Sequence, residues 1–193
     1  MKRSLALLFV GALAMPALAA AQQKAPPMPK AAPMSAAAKI ANAMSAAPSA
    51  ISGKATIRDW PSTPTGKPVL LRSGSNGWVC YPKAPGKDEN DPMCLDGSWQ
   101  KWAEAYMSKK KPQFTTLGIA YMIAPGGANG SGTDPWAEKG TPTNDWGWDG
   151  PHMMILSPDQ SAYKGLPTRR TSGAYVMWAG TPYAHIMTPV TNK

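Results

Sequence analysis

The chain holds two histidines, His152 and His185, and each opens an apolar run with a methionine two positions on, Met154 and Met187. In an extended strand, residues i and i+2 point to the same side, so each run offers one imidazole and one thioether on a common face. If the two runs pair, opposed Cβ atoms lie about 4.5–5.5 Å apart, and His152, Met154, His185 and Met187 become a candidate metal set. Imidazole with thioether is a soft combination, suited to copper(I) more than to zinc, magnesium or calcium. The expected role is carriage or buffering of copper. A shared site requires the two rings within about 8 Å of each other, because a ligand nitrogen lies about 2 Å from its ion. The plainer alternative is that both methionines fill a core and each histidine is a satisfied polar group near a strand end.

A second constellation lies just upstream, in Trp136 and in Asp145, Trp146, Trp148 and Asp149. Indoles stack on sugar rings, and carboxylates accept hydrogen bonds from sugar hydroxyls, so this loop is a candidate surface for a carbohydrate or another small ligand. The alternative is that these indoles close the end of a core, since tryptophan is highly buried on average. The same histidines also suit general acid–base chemistry, because imidazole titrates nearest neutral pH. A hydrolase would need a nucleophile or an activated water besides. Neither a G-x-S-x-G elbow nor an H-E-x-x-H pair occurs, so no reaction class is favoured and no catalytic residue is assigned. The glycine-rich stretch 126–134 lacks the Lys-Ser/Thr ending of a phosphate loop and carries a single Asp, which leaves a mobile surface loop as its reading.

These residues must be positioned by elements that the pattern suggests. Residues 55–60 read as a first strand stopped by Pro61, and 69–71 with 77–81 read as a hairpin across the glycine-rich 73–77. Trp99, Trp102, Ala103 and Tyr106 fall at i, i+3, i+4 and i+7, one face of an amphipathic helix. Asp96 or Ser98 is placed to cap it, and Pro112 to end it. Residues 117–123 form a continuous apolar run expected to be a central strand, and 174–178 forms a further strand between the two histidine runs. The sum is an α+β domain over residues 53–193, with a mostly antiparallel sheet and one amphipathic helix.

Ahead of it, Lys2 and Arg3, an apolar stretch from Leu5 to Leu13, and small residues around Ala19 have the form of a signal peptide over residues 1–20. Residues 21–52 are rich in Ala and Pro and carry no aromatic residue, so they are expected to be a disordered tail. Within them, 35–47 has the composition of a transient alanine helix. Export fits the cysteine count. Cys80 and Cys94 are the only two and are expected to form a disulfide in an oxidising compartment, contributing about 3 kcal/mol by loop closure. Periplasmic or secreted localisation follows, with no stable membrane insertion, since no later run approaches the roughly 18 apolar residues of a membrane helix.

The net charge of +9 overstates the basicity of the domain, because five of the 20 Lys and Arg and none of the 11 acids fall in the first 50 residues. Neither a basic stripe nor a nucleic-acid module is present, so nucleic acid is not an expected partner.

The blocks LRSGSNGWVC (71–80), DPMCLD (91–96), GIAYM (118–122) and GTPYAHIM (180–187) resemble a family of small exported bacterial proteins of uncharacterised function. The resemblance covers residues 53–190. It implies an exported single domain and brings no activity with it.

Overall fold

A computed structural model of the protein describes residues 33–63 and 66–190. The expected signal peptide and residues 21–32 of the expected tail lie outside the described residues.

Alternating strand residues build one large sheet. Its members are β1 (Thr56–Asp59), β2 (Val69–Arg72), β3 (Val79–Tyr81), β4 (Met93–Leu95), β5 (Gly118–Met122), β8 (His152–Leu156), β9 (Tyr175–Met177) and β10 (His185–Pro189). Their order across the sheet is β2-β1-β3-β4-β5-β8-β10-β9, antiparallel at every junction except the parallel β1–β3 pair. Two further strands, β6 (Ala128–Ser131) and β7 (Trp146–Asp149), form a separate antiparallel ribbon. The disulfide is present and joins Cys80 to Cys94, directly opposed residues of β3 and β4.

Among the described residues three α-helices accompany the sheets, where the sequence suggested one amphipathic helix and a transient alanine helix over 35–47. α3 (Gly97–Met107) is the helix expected from the tryptophan spacing. Asp96 caps it by accepting from the Trp99 backbone N–H at 2.9 Å, and its second carboxylate oxygen accepts from the Ile119 N–H at 2.6 Å. One side chain thus satisfies a free N–H of the helix start and ties that start to β5. Gly118 permits the close approach: a Cβ there would lie 2.9 Å from the Ser98 Cβ and 3.1 Å from the Trp99 ring. α3 covers one face of the sheet with Trp99 and Trp102, packed with Leu95, Ala120, Met154, Leu156, Tyr175 and Met187.

The opposite face near β1, β3 and β4 is covered by α1 (Ala36–Met44) and α2 (Ser49–Ser52), which corrects the reading of 36–52 as part of a disordered tail. Ala43 and Ala46 are fully buried and pack against Ile57, Cys80 and Cys94, with Ile40, Met44, Trp78 and Tyr121 around them. Ser35 caps α1 by accepting from the Ala38 N–H, and Lys39 pairs with Asp59 of β1 at 2.5 Å. The segment lacks aromatic residues of its own, but the sheet supplies the apolar partners. Alanine also lets the helix sit close.

Two local expectations fail for one reason: a distant segment takes the hydrogen bonds that a local turn was expected to use. β2 and β3 do not form a hairpin, because β1 lies between them. The turn segment instead crosses the start of β1, where a Cβ on Gly74 would meet backbone atoms of Ala55 and Thr56 at 2.2 Å. The glycine-rich 126–134 contains β6, whose residues Ala128–Ser131 pair with Trp146–Asp149 in register.

Candidate functional site

The two His-x-Met runs are β8 and β10, and they are neighbours. Their register opposes Met187 to Met154 and Pro189 to His152, so His185 falls beyond the Met pair toward Leu156. All four candidate side chains are buried and share the α3 face of the sheet. They form a row, with the methionines in the middle and a histidine at each end. His185 lies four residue steps along β10 from Pro189, which is opposite His152, about 13–14 Å measured along the backbone. The antiparallel register therefore places the two histidines at opposite ends of the row, where a parallel arrangement would have set them side by side. Among the described residues no group of three or more His, Cys, Asp or Glu side chains is disposed to hold a metal ion.

The two rings share one local device. His152 Nδ1 lies 2.6 Å from the Gly150 carbonyl, and His185 Nδ1 lies 3.0 Å from the Tyr183 carbonyl. A carbonyl only accepts, so Nδ1 carries the proton in both rings and Nε2 carries the lone pair. Burial lowers the pKa of both, for His185 to about 4 with a smaller lowering from the neighbouring His152, against smaller upward pulls from the bonded carbonyl and from Asp149. Both imidazoles are neutral at pH 7.

Their surroundings differ. Trp99, Trp102 and Trp178 stand edge-on to the His185 ring, with centroids 5.1–5.6 Å away. Outside this cage, Trp136 stacks on Tyr106 at 4.7 Å with the Lys109 ammonium over its ring, so Trp136 belongs to the aromatic cluster. Trp136 itself is 42 % exposed, so it lies at the surface edge of that cluster.

His152 lines a cleft of about 160 Å³ together with Trp148, Asp149, Gly150, Arg170, Thr171, Tyr175, Met187 and Pro189. Trp148 is 51 % exposed at its edge. The structure thus joins His152 and Met187 from the first constellation with Trp148 and Asp149 from the second. Trp146 and Asp145 lie outside the lining. Asp145 contributes through Arg170, whose backbone N–H it accepts at 2.8 Å.

Arg170 and Tyr175 organise the cleft wall, and the sequence reading did not single them out as site residues. The Arg170 guanidinium grips Asp149 in a fork, with Nε donating to Oδ1 at 2.9 Å and Nη2 to Oδ2 at 2.7 Å. Nη1 donates to the Asp145 carbonyl at 2.5 Å, and the Tyr175 hydroxyl donates to Asp149 Oδ1 at 2.6 Å. Burial, and then the bond to Asp149, push the Tyr175 hydroxyl far above its usual pKa; the same carboxylate raises that of Arg170. The available signals were weak: Arg170 stands beside Arg169 and far from Asp149 in the chain, and Tyr175 is one residue of the expected strand 174–178.

Searches of family models, curated proteins and solved structures return no match to this chain, which is consistent with the resemblance to an uncharacterised family.

Proposed function

We propose that this is an exported small-ligand-binding protein that takes a polyhydroxylated ring, such as a sugar, in the cleft beside Trp148. The observation that carries this reading is a half-exposed indole at the rim of a cleft whose floor and wall hold His152, Asp149 and Thr171. An indole face stacks on the C–H face of a sugar, while polar groups below fix its hydroxyls; few polar groups amid apolar lining is the usual make-up of a ligand site. Export is supported by the form of residues 1–20 and by the disulfide.

Titration calorimetry of the purified protein with monosaccharides and soluble cell-wall fragments tests the reading. Binding to the wild type that Trp148→Ala weakens at least about tenfold is expected. Retention of full affinity by that variant, or no binding to any glycan, sinks it.

A soft-metal role is the second reading. It is favoured by one observation: His152 and Met187 line the same cleft, one imidazole and one thioether. Such a pair suits copper(I) carriage, with His185 and Met154 outside the ligand set. Stoichiometric copper(I) uptake against a competing chelator, lost in His152→Ala and kept in His185→Phe, is the expected result. Equal uptake by all three proteins removes this reading.

A further inference from the structure

We propose a second ligand site on the face of the sheet turned away from α3. It takes a single-chain fatty carboxylate, with the alkyl chain laid across β5, β8 and β10 and the carboxylate at the cavity that Val176 and Lys164 line. This site is separate from the cleft beside Trp148 and stands independently of the sugar-binding reading.

Register and burial place an apolar row on that face. Ile119 of β5 is opposed to Ile155 of β8, Ile155 to Ile186 of β10, and Ile186 to Val176 of β9. Side chains alternate along a strand, and the adjacent Ala120, Met154, Leu156, Met187 and Tyr175 pack in the α3 core, so these four point the other way. Three strand spacings make the row about 14 Å long. Ile119 is 36 % exposed, and Ile155 and Ile186 are only partly buried. The next row, Tyr121, Met153 and Thr188, carries no charge either.

Both flanks of this face are already covered. Tyr121 of β5 joins the cluster of Ala43 and Ala46 under α1, while Tyr163 and Leu166 pack on Val176 and Ala184. Among the described residues, the strip between these layers is left open; it spans β5, β8 and β10, two strand spacings or about 10 Å. Packing of two sheets needs a broad open face, which a bounded strip does not offer to a second copy of this chain. A peptide strand lying on it would turn its backbone N–H and C=O groups to isoleucines, without partners. An alkyl chain carries no such groups. The row ends in Val176, which also lines a cavity of about 220 Å³ with Tyr163, Leu166, Ala179 and Ala184. The Tyr163 hydroxyl is engaged with Ser157, outside that lining. Lys164 is the charged residue of the cavity, and among the described residues no acid lines it. An ammonium at the end of an apolar row complements a carboxylate at the end of an alkyl chain.

Calorimetric titration of the full protein with dodecanoate, below its micellar concentration, is the test. Each methylene buried strengthens binding about fourfold, so octanoate is expected to bind at least about tenfold more weakly. Dodecyltrimethylammonium, with the same chain and the opposite charge, is expected to bind about threefold more weakly, and Lys164→Gln to remove that difference. Ile119→Gln and Ile155→Gln are each expected to weaken dodecanoate binding about fivefold. Ile119 already reaches the surface, so its variant tests the row without opening the core. Trp148→Ala is expected to leave dodecanoate binding unchanged, which separates this site from the sugar cleft. Absence of dodecanoate binding, equal affinity for octanoate or for the cationic amphiphile, or full affinity in both isoleucine variants overturns the proposal. So does binding to phosphatidylglycerol vesicles alone, which gives the face to a membrane surface. A dimer in sedimentation velocity that Ile155→Gln dissolves overturns it in favour of a second copy.

Discussion

His152 and His185 begin their strands in the same way, each with Nδ1 against the carbonyl two residues earlier and with a buried methionine two residues later. Yet His185 is closed in by Trp99, Trp102 and Trp178, while His152 lines a cleft beside an exposed Trp148. The local motif sets the tautomer. The covering layer then sets what the free nitrogen meets. α3 seals one end of the Met row with indoles; at the other end, Arg170 and the β7 residues leave room for a small molecule. Equal sequence motifs thus carry unequal chemistry, and the difference comes from the residues that cover each ring, Trp99 and Trp102 of α3 with Trp178 over His185, and Trp148 and Arg170 beside His152.

The comparison breaks most visibly in the sealed end. Trp99→Ala is expected to cost about 4 kcal/mol, because it removes a large, almost fully buried ring and leaves a cavity beside His185. Urea denaturation measures it, and a loss below about 1 kcal/mol would show that the cage packs loosely. At the open end, Asp149→Ala is expected to cost about 3 kcal/mol, since it strands the Arg170 guanidinium and the Tyr175 hydroxyl in a partly buried wall. Asp149→Asn keeps the shape and should lose somewhat less.

The pH dependence of stability sharpens the contrast. An unfolded histidine titrates near 6.5, and folded His185 near 4, so between those values the unfolded chain binds the extra proton. Stability therefore falls as pH drops through this window, by up to about 1.4 kcal/mol per pH unit. His185→Phe is expected to flatten the slope of the urea midpoint against pH from 6.5 to 4. His152, lowered in the same direction, leaves a residual slope of the same sign. An unchanged slope would mean that His185 is accessible to protons while folded. The smallest effect on stability is expected from Trp148→Ala, within about 0.5 kcal/mol, because the indole is half-exposed. Its effect is reserved for ligand binding, which calorimetry reads separately.

Much of the architecture was legible because it depends on near neighbours. The Trp99, Trp102, Tyr106 spacing located α3, and its cap was narrowed to Asp96 or Ser98 because capping spans only three residues; the structure selects Asp96. The short apolar runs located β5, β8, β9 and β10. What stayed hidden depends on distant pairing. Residues 36–52 looked too poor in aromatics to pack, and they pack because Trp78 and Tyr121 come to them. The cleft was half legible: His152, Trp148 and Asp149 stood out by type, whereas Arg170 and Tyr175 gained meaning only when their hydrogen bonds to Asp149 appeared.

The sequence by itself determined which residues face the same side of each strand, where α3 starts, and that the two cysteines pair. These follow from backbone periodicity, capping and the chemistry of a lone cysteine pair. Tertiary structure alone decided that β8 and β10 run antiparallel with Met154 opposite Met187, which holds the histidines apart, and that a guanidinium from residue 170 is neutralised against Asp149. Register and charge pairing depend on which distant segments share a sheet edge or a wall, and no local spacing encodes that.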